Sequence, residues 1–568
     1  MDPGLGRRLR RAEPALLYGL LAGFVAIVCL WPLGRLLAEG LSAGGVPSLD
    51  ALARVLDAPS TWRALGNTLT VSTAGTVLSL VIGATTALIV GLTDVRAKPA
   101  LTLCLILPLM IAPQVTALAW LQVLGPSSAL LQTLGLAPPP GTRNPLYSAE
   151  GIILLFGIQH AALVFLAVRA GLRRLPADLL EAAHAAGAGR IQAMTTVVLP
   201  LLAPALIAGT ALAFVSAIGN FGIPALLGIP GRYTVLTTLI YQRLAGLGPS
   251  ALSETAALSL VLGTIAVVGL AVQGWMGRGS DVRASGVSGP KPYALGPWRL
   301  PAEVLCWAIV FFVLVLPLSA LVATSVTGAI GVKLTAATAT MANYAFVLFD
   351  HAVTIRAFRN SILLAGGAAV LLALVAVPLA YFIVWRGARG LRLLAVAAEC
   401  TYALPGVVLA IACILIFLKP LPLLGWGLYG TVWIILAAYL SRFLTLALKP
   451  AIAGMQQAER TYEEAAIILG AGFLTRLVTV VMPLVAPAAA AGGLLVFLTA
   501  FNELTVSALL WSSGAETLGV VVFSLEQSGE STYAAAVAVL TVLATIGLML
   551  LAQAFQRRLP PGTLPWQA

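Results

Sequence analysis

Glu181–Pro200 reads EAAHAAGAGRIQAMTTVVLP, and Glu464–Pro483 reads EAAIILGAGFLTRLVTVVMP. Extended to Pro204 and Pro487, the two stretches align without a gap and share 13 of 24 positions. The same offset of 283 residues pairs Gly171 with Gly454, and FVSAIGNFGIPALL (214–227) with FLTAFNELTVSALL (497–510). Earlier in each half, RALGN (63–67) meets RAFRN (356–360) and APQV (112–115) meets LPGV (404–407). Four matches in one order make the chain an internal duplication.

The duplicated unit is built for lipid. Of 568 residues, 60% are apolar and 10% charged, against about 25% charged in a soluble domain. Apolar runs long enough to cross ~30 Å of hydrocarbon lie near 15–37, 68–92, 99–123, 150–170, 200–221, 251–275, 301–325, 360–385, 392–418, 424–447, 483–508 and 533–555. The expected fold is an all-α membrane protein of about 12 transmembrane helices. Its first half covers 1–275 and its second 301–568, six helices each. Between them, the polar, Gly/Ser-rich stretch 276–300 reads as a cytoplasmic linker. The first run follows basic residues but is too long for a signal-peptide core, so it is taken as a retained span.

A net charge of +12 invites a nucleic-acid reading. The charges alternate by loop instead. With both termini inside, 23 of the 33 lysines and arginines fall on the cytoplasmic side, among them Arg7, Arg8, Arg96, Lys98, Arg173, Arg174, Arg386, Arg389 and Arg392. That bias orients helices in a membrane. Cys29, Cys104, Cys306, Cys400 and Cys413 all lie in apolar runs with no C-x-x-C pair and read as small buried hydrophobes.

Each repeated stretch lies between the fourth and fifth run of its half, on the cytoplasmic side. Helix-forming residues carry Glu181 or Glu464, then Ala182–Ala183 or Ala465–Ala466, whose small side chains permit close approach. Gly187 and Gly189, or Gly470 and Gly472, can take positive φ and turn the chain. A second short helix is expected next, with Pro200 or Pro483 opening the following span. A loop whose glutamate only favours a helix start would explain one copy. Two copies on one side favour docking to a paired partner.

This pattern resembles the EAA loop of ABC-importer permeases, with Val197 and Val480 in place of the usual Ile and Met482 in place of Leu. The resemblance covers both halves. It implies a type I importer fold, with coupling loops at 173–200 and 456–483 that dock two copies of a cytoplasmic ATPase. It also implies an external solute-binding protein, an inner-membrane location and alternating access. There is no Gly-Lys dipeptide and so no phosphate loop: ATP would be bound by the partner, and the chain is expected to hold no cofactor or metal and to be no enzyme. Segments 219–244 and 501–526 resemble the iron(III) branch, so ferric iron is the expected solute; thiamine, a phosphonate, a polyamine or another small solute is the alternative.

Ionisable groups at the centre of a span cost ~2.5–3.5 kcal/mol and mark functional positions. Candidates for the translocation path are Glu503 with Asn502, the repeat equivalent Asn220, and Glu399. Gln159 and His160 are further intramembrane polar groups, His160 read as a helix–helix hydrogen bonder. His184 has Ile467 as its counterpart, which argues against a paired role. A secondary transporter would need an ion site, and a membrane enzyme a catalytic constellation. With three histidines and no H-E-x-x-H, the sequence offers neither.

Overall fold

A computed structural model describes residues 3–43, 46–246, 251–277, 293–419, 425 and 427–554. Ten straight helices have the length and composition of membrane spans: Glu13–Gly40, Pro59–Leu92, Ala149–Arg173, Arg190–Gly219, Ala251–Val272, Gly296–Ser325, Ala352–Val384, Val432–Gln457, Phe473–Phe501 and Ser531–Leu551. Each overlaps one of the apolar runs.

The runs at 99–123 and 392–418 are not straight spans. Lys98–Met110 and Pro113–Leu134 meet at 103°, and Arg389–Ala403 and Gly406–Phe417 at 110°. The cause is the repeated proline. A residue before proline is pushed out of the α region; Ala112 has φ −58°, ψ 137° before Pro113, and Leu404 has φ −67°, ψ 141° before Pro405. A third bent pair, Gly222–Gly231 with Leu236–Ala245 at 76°, follows the fifth run of the first half. Hydropathy reads through such a bend because both arms are apolar.

Prolines also explain the π turns. Four of the five described, at 26–30, 194–198, 311–315 and 477–481, end two residues before a proline: Pro32, Pro200, Pro317 and Pro483. Proline lacks an N–H and its ring clashes with the carbonyl four residues back. A wider turn there, closed for example by Leu199 N–H donating to Met194 O, moves that carbonyl aside and lets the helix continue.

Within each half the spans approach through small residues, as lipid-embedded helices do. In the first, a side chain at Gly83 would collide with the Ala161 carbonyl, and Ser79 Oγ donates to Phe156 O and Gly157 O at 3.2 and 3.1 Å. The halves exchange their leading spans. Tyr18, in Glu13–Gly40, packs edge-on against Phe382 of the second half at 5.8 Å. Thr324, in Gly296–Ser325, donates to Gln122 of the first at 3.2 Å.

The expected linker 276–300 falls partly outside the described residues, at 278–292. Its described end is pinned to the first half. Tyr293 N–H donates to Leu92 O (2.7 Å), Asp94 N–H to Tyr293 O (3.1 Å) and Leu295 N–H to Asp94 Oδ1 (3.0 Å). Arg299 pairs with Asp94 at 3.6 Å and with Glu303 at 3.0 Å, and Glu303 accepts from Arg96 N–H at 2.9 Å. The Leu295 amide, then Arg299, hold the Asp94 carboxyl below its usual range. A lowered folded pKa contributes stability above the ordinary carboxylate range near 4, lost as pH falls through the folded value. Asp94→Asn should therefore flatten the fall of Tm in detergent on acidification below about pH 4. An unchanged acid profile would show that this clamp does not contribute.

Candidate functional site

Both repeated stretches form the same elbow. Helix Ala177–Ala185 or Thr461–Ile468 ends at a glycine in the left-handed region, Gly187 at φ 87° and Gly470 at φ 80°. Gly187 N–H donates to His184 O and Ala188 N–H to Ala183 O, at 2.9 and 3.0 Å; Gly470 N–H to Ile467 O and Ala471 N–H to Ala466 O repeat the pattern at the same lengths. This is the paired C-terminal cap that needs glycine at its centre. Gly189 and Gly472 do something else: both are extended, with ψ 166° and 164°, and precede the next helix as its N-cap. That next helix is not separate. Arg190–Ala193 and Phe473–Arg476 run through the π turns into the spans ending at Gly219 and Phe501, so each elbow is the bent end of a span. Pro200 and Pro483 lie inside these continuous helices, which the π turns carry past them.

Glu181 is exposed, and Glu464 lies 3.5 Å from Arg460 with both side chains more than half exposed. Ala182 and Ala465 are exposed; Ala183 and Ala466 are half-buried. The elbows differ at their tips and at their roots. Where the first has His184, Ala185 and Ala186, the second has Ile467, Ile468 and Leu469, and the last two are 86% exposed. The first elbow roots through apolar packing of Leu175, Leu180 and Val198. His184 meets Tyr293 there, Nε2 to hydroxyl 3.4 Å, rings edge-on at 5.6 Å.

The second elbow roots through a buried ionic network that sequence reading missed. Glu463 is 4% exposed; it accepts from the Tyr381 hydroxyl at 2.6 Å and pairs with Arg476 at 3.5 Å. Arg386 Nε donates to the same hydroxyl at 2.9 Å, and Arg476 Nη1 to Ala471 O at 2.8 Å. The first elbow has Leu180 and Ala193 in place of Glu463 and Arg476. That mismatch was the available signal: a carboxylate and an arginine added to a repeat whose other copy is apolar. Removing one partner of a buried pair strands the other. We expect Glu463→Leu alone to cost about 3 kcal/mol and to raise amide exchange across 461–476. The double variant Glu463→Leu/Arg476→Ala, which copies the first elbow, should recover most of that loss. Equal loss in single and double variants would contradict the pairing.

The polar groups proposed for the path gather at helix interruptions. Asn220 follows the span Arg190–Gly219, is buried, and its Oδ1 accepts from Ile223 N–H at 3.2 Å. Its repeat equivalent Glu503 is buried too; its carboxylate accepts from Val506 N–H at 2.7 Å and Ser507 N–H at 3.1 Å. Both cap the turn after a span. Asn502 joins the halves: Nδ2 donates to Met110 O and Thr545 Oγ1, each at 3.2 Å, and its carbonyl accepts from Gln114 at 3.5 Å. Gly219 packs against Pro405 across the same boundary. Gln159 ties the first-half bend, donating to Pro108 O and Ile111 O at 2.9 and 3.1 Å. His160 is buried, its ring 5.6 Å from Phe156 of its own helix. Glu399 stands apart from these caps, more than half exposed and 3.4 Å from Lys449. Among the described residues, no group of three or more His, Cys, Asp or Glu side chains is placed to hold a metal ion.

The chain is 26% identical to the ferric transport system permease protein of Actinobacillus pleuropneumoniae over 88% of its own length and 71% of the relative's. It is equally identical to a probable ABC transporter permease protein of Sinorhizobium fredii, over 89% of each chain. The molybdenum transport system permease protein of Escherichia coli matches at 28% identity over 39% of this chain and 96% of its own. The family model for the binding-protein-dependent transport system inner membrane component matches twice, at 75–281 and 369–564, which together make up more than half of the chain. The chain therefore belongs to the family of binding-protein-dependent transport system inner membrane components, with two copies of the family module fused in one polypeptide.

Proposed function

We propose that this chain is the whole membrane pathway of an ATP-driven importer for ferric iron, and that its elbows are the docking points for two copies of a cytoplasmic ATPase. The carrying observation is the second elbow: Ile468 and Leu469 are 86% exposed at the tip of a helix whose root is fixed by the buried Glu463–Arg476 pair. Apolar side chains held rigidly in the open mark an interaction site. The elbow face is taken as cytoplasmic. It carries Arg96, Arg173, Arg174, Arg386, Arg389 and Arg392, the charge bias that orients spans.

ATP-driven approach of the two ATPase subunits would draw the elbows together. Each elbow is continuous with a span that ends at a capped interruption, Asn220 or Glu503, near the boundary between the halves. Movement of an elbow is thereby transmitted along one rigid helix to that boundary, and the path opens alternately to either side. A solute-binding protein on the far face would deliver the solute. Ferric iron is favoured because the ferric relative matches across both halves, whereas the molybdenum relative matches one.

Two assays test this. Double charge reversal, Glu181→Lys with Glu464→Lys, and separately Ile468→Asp with Leu469→Asp, should abolish co-purification of the cytoplasmic ATPase. Uptake of labelled ferric iron in cells should fall to background in the same variants, while membrane levels stay normal. Retained ATPase capture would sink the docking assignment. Uptake of molybdate or putrescine in place of iron would sink the solute assignment and leave the permease reading intact.

A further inference from the structure

The duplication supplies an internal control for the elbows, because one backbone carries two sets of side chains. The turns match: Gly187 and Gly470 take φ 87° and 80°, and the capping hydrogen bonds have the same lengths in both. The tips do not. Ala185 and Ala186 of the first elbow are exposed, and their counterparts at the 283 offset are Ile468 and Leu469, each 86% exposed. His184 likewise gives way to Ile467, about half exposed. Beyond the turn the first elbow presents Ile191 at 83%, where the second has Leu474 at 46%. Both elbows therefore offer apolar surface, and the second has the larger apolar tip.

The roots differ in the same sense. At the start of the helix after the turn, the first elbow has Arg190, exposed, and the second has Phe473, buried. The Phe473 ring lies 5.8 Å from Tyr381 and 6.0 Å from Phe382. The next amide, Leu474 N–H, donates to Glu13 Oε2 of the leading span at 3.3 Å. With the Glu463–Arg476 pair, these contacts tie the second elbow to Ala352–Val384 and to Glu13–Gly40. The first elbow leans on leucine and valine packing and on Tyr293.

Both differences act on binding in one direction. Ile468 and Leu469 each carry three more side-chain carbons than the alanines at the first tip. Each added carbon that a partner buries strengthens binding about fourfold, so two of them buried give roughly fifteenfold. A tip held firmly from its root also loses less freedom on docking and keeps more of that gain. The turn itself does not require the larger tip, since the first copy makes it with alanine. The shared backbone fits two copies of one partner, and the unequal side chains hold them unequally.

We propose that the two docking points are unequal. The second elbow is the high-affinity seat of the ATPase and the first a weaker one, so the two copies of the partner load in order, second elbow first. This rests on the docking reading above and adds the chemistry of the receiving surface: an apolar groove that Ile468 and Leu469 fill and that the alanines of the first elbow fill only in part. It does not depend on which solute is carried.

The probe is the ATPase that co-purifies with the native chain, recognised by its G-x-x-x-x-G-K-[ST] peptide, purified and freed of nucleotide. It is titrated against the full chain in phosphatidylcholine nanodiscs with one elbow disabled at a time. Glu181→Lys, which leaves the second elbow, should bind at least roughly tenfold more tightly than Glu464→Lys, which leaves the first. Adding Ile468→Ala with Leu469→Ala to Glu181→Lys should remove that advantage. Adding Ala185→Ile with Ala186→Leu to Glu464→Lys should confer it. Equal affinities at the two elbows, or an order unchanged by the exchange of tips, overturn the inequality and leave docking intact. A native chain that captures no ATPase removes docking and the inequality together. Quenching of a bimane label at position 469 by brominated phosphatidylcholine would place the tip in lipid and overturn the proposal as well.

Discussion

Hydrocarbon offers no hydrogen bonds, so every break in a membrane helix must find its partners inside the protein. That constraint organises this molecule. The bends at Pro113 and Pro405, and the span ends at Asn220 and Glu503, leave backbone groups unpaired. Each is satisfied by an amide or carboxylate side chain, or packed against the opposite half: Gln159 on Pro108 and Ile111, Asn220 on Ile223, Glu503 on Val506, Asn502 on Met110. The interruptions therefore lie where the halves meet. A boundary lined with satisfied but irregular backbone is a place that two rigid bodies can shear.

Proline acts in two opposite ways along the chain. At 113 and 405 it ends one helix and aims the next across the first at more than 100°. At 200 and 483 a π turn absorbs it, and the helix continues from elbow to boundary without a joint. The difference matters for transmission: a hinge at Pro200 would dissipate the movement of an elbow, whereas an unbroken helix of 30 residues carries it. The two elbows are not equal levers. One is seated on leucine and valine and touched by Tyr293 from the lead of the second half; the other is locked by Glu463, Arg476, Tyr381 and Arg386 and presents a larger apolar tip.

Much of this was legible in the residues. Ten spans follow from apolar length alone, and the elbow turn from glycine six residues after glutamate. The bends did not, because hydropathy averages over an angle; the repeated prolines in APQV and LPGV were the local sign, and a proline within an apolar run is compatible with bend or passage. Only the repeat separates Glu463 from Glu464, by setting Leu180 and Glu181 in their places. They are neighbours, yet helical geometry turns one into the protein and the other out. Glu399, Asn220 and Glu503 were singled out as a class, but only coordinates show that two of them cap turns while the third pairs at an exposed position.

The central claim is mechanical: the elbows move toward each other when the motor binds nucleotide. It is tested most directly by the distance between spin labels at position 186 in the first elbow and position 469 in the second, in the assembled complex in nanodiscs. The account predicts a distribution that shifts to shorter distances with ATP trapped at the ATPase and returns after hydrolysis. A distance indifferent to nucleotide, in a complex that still transports, would contradict it.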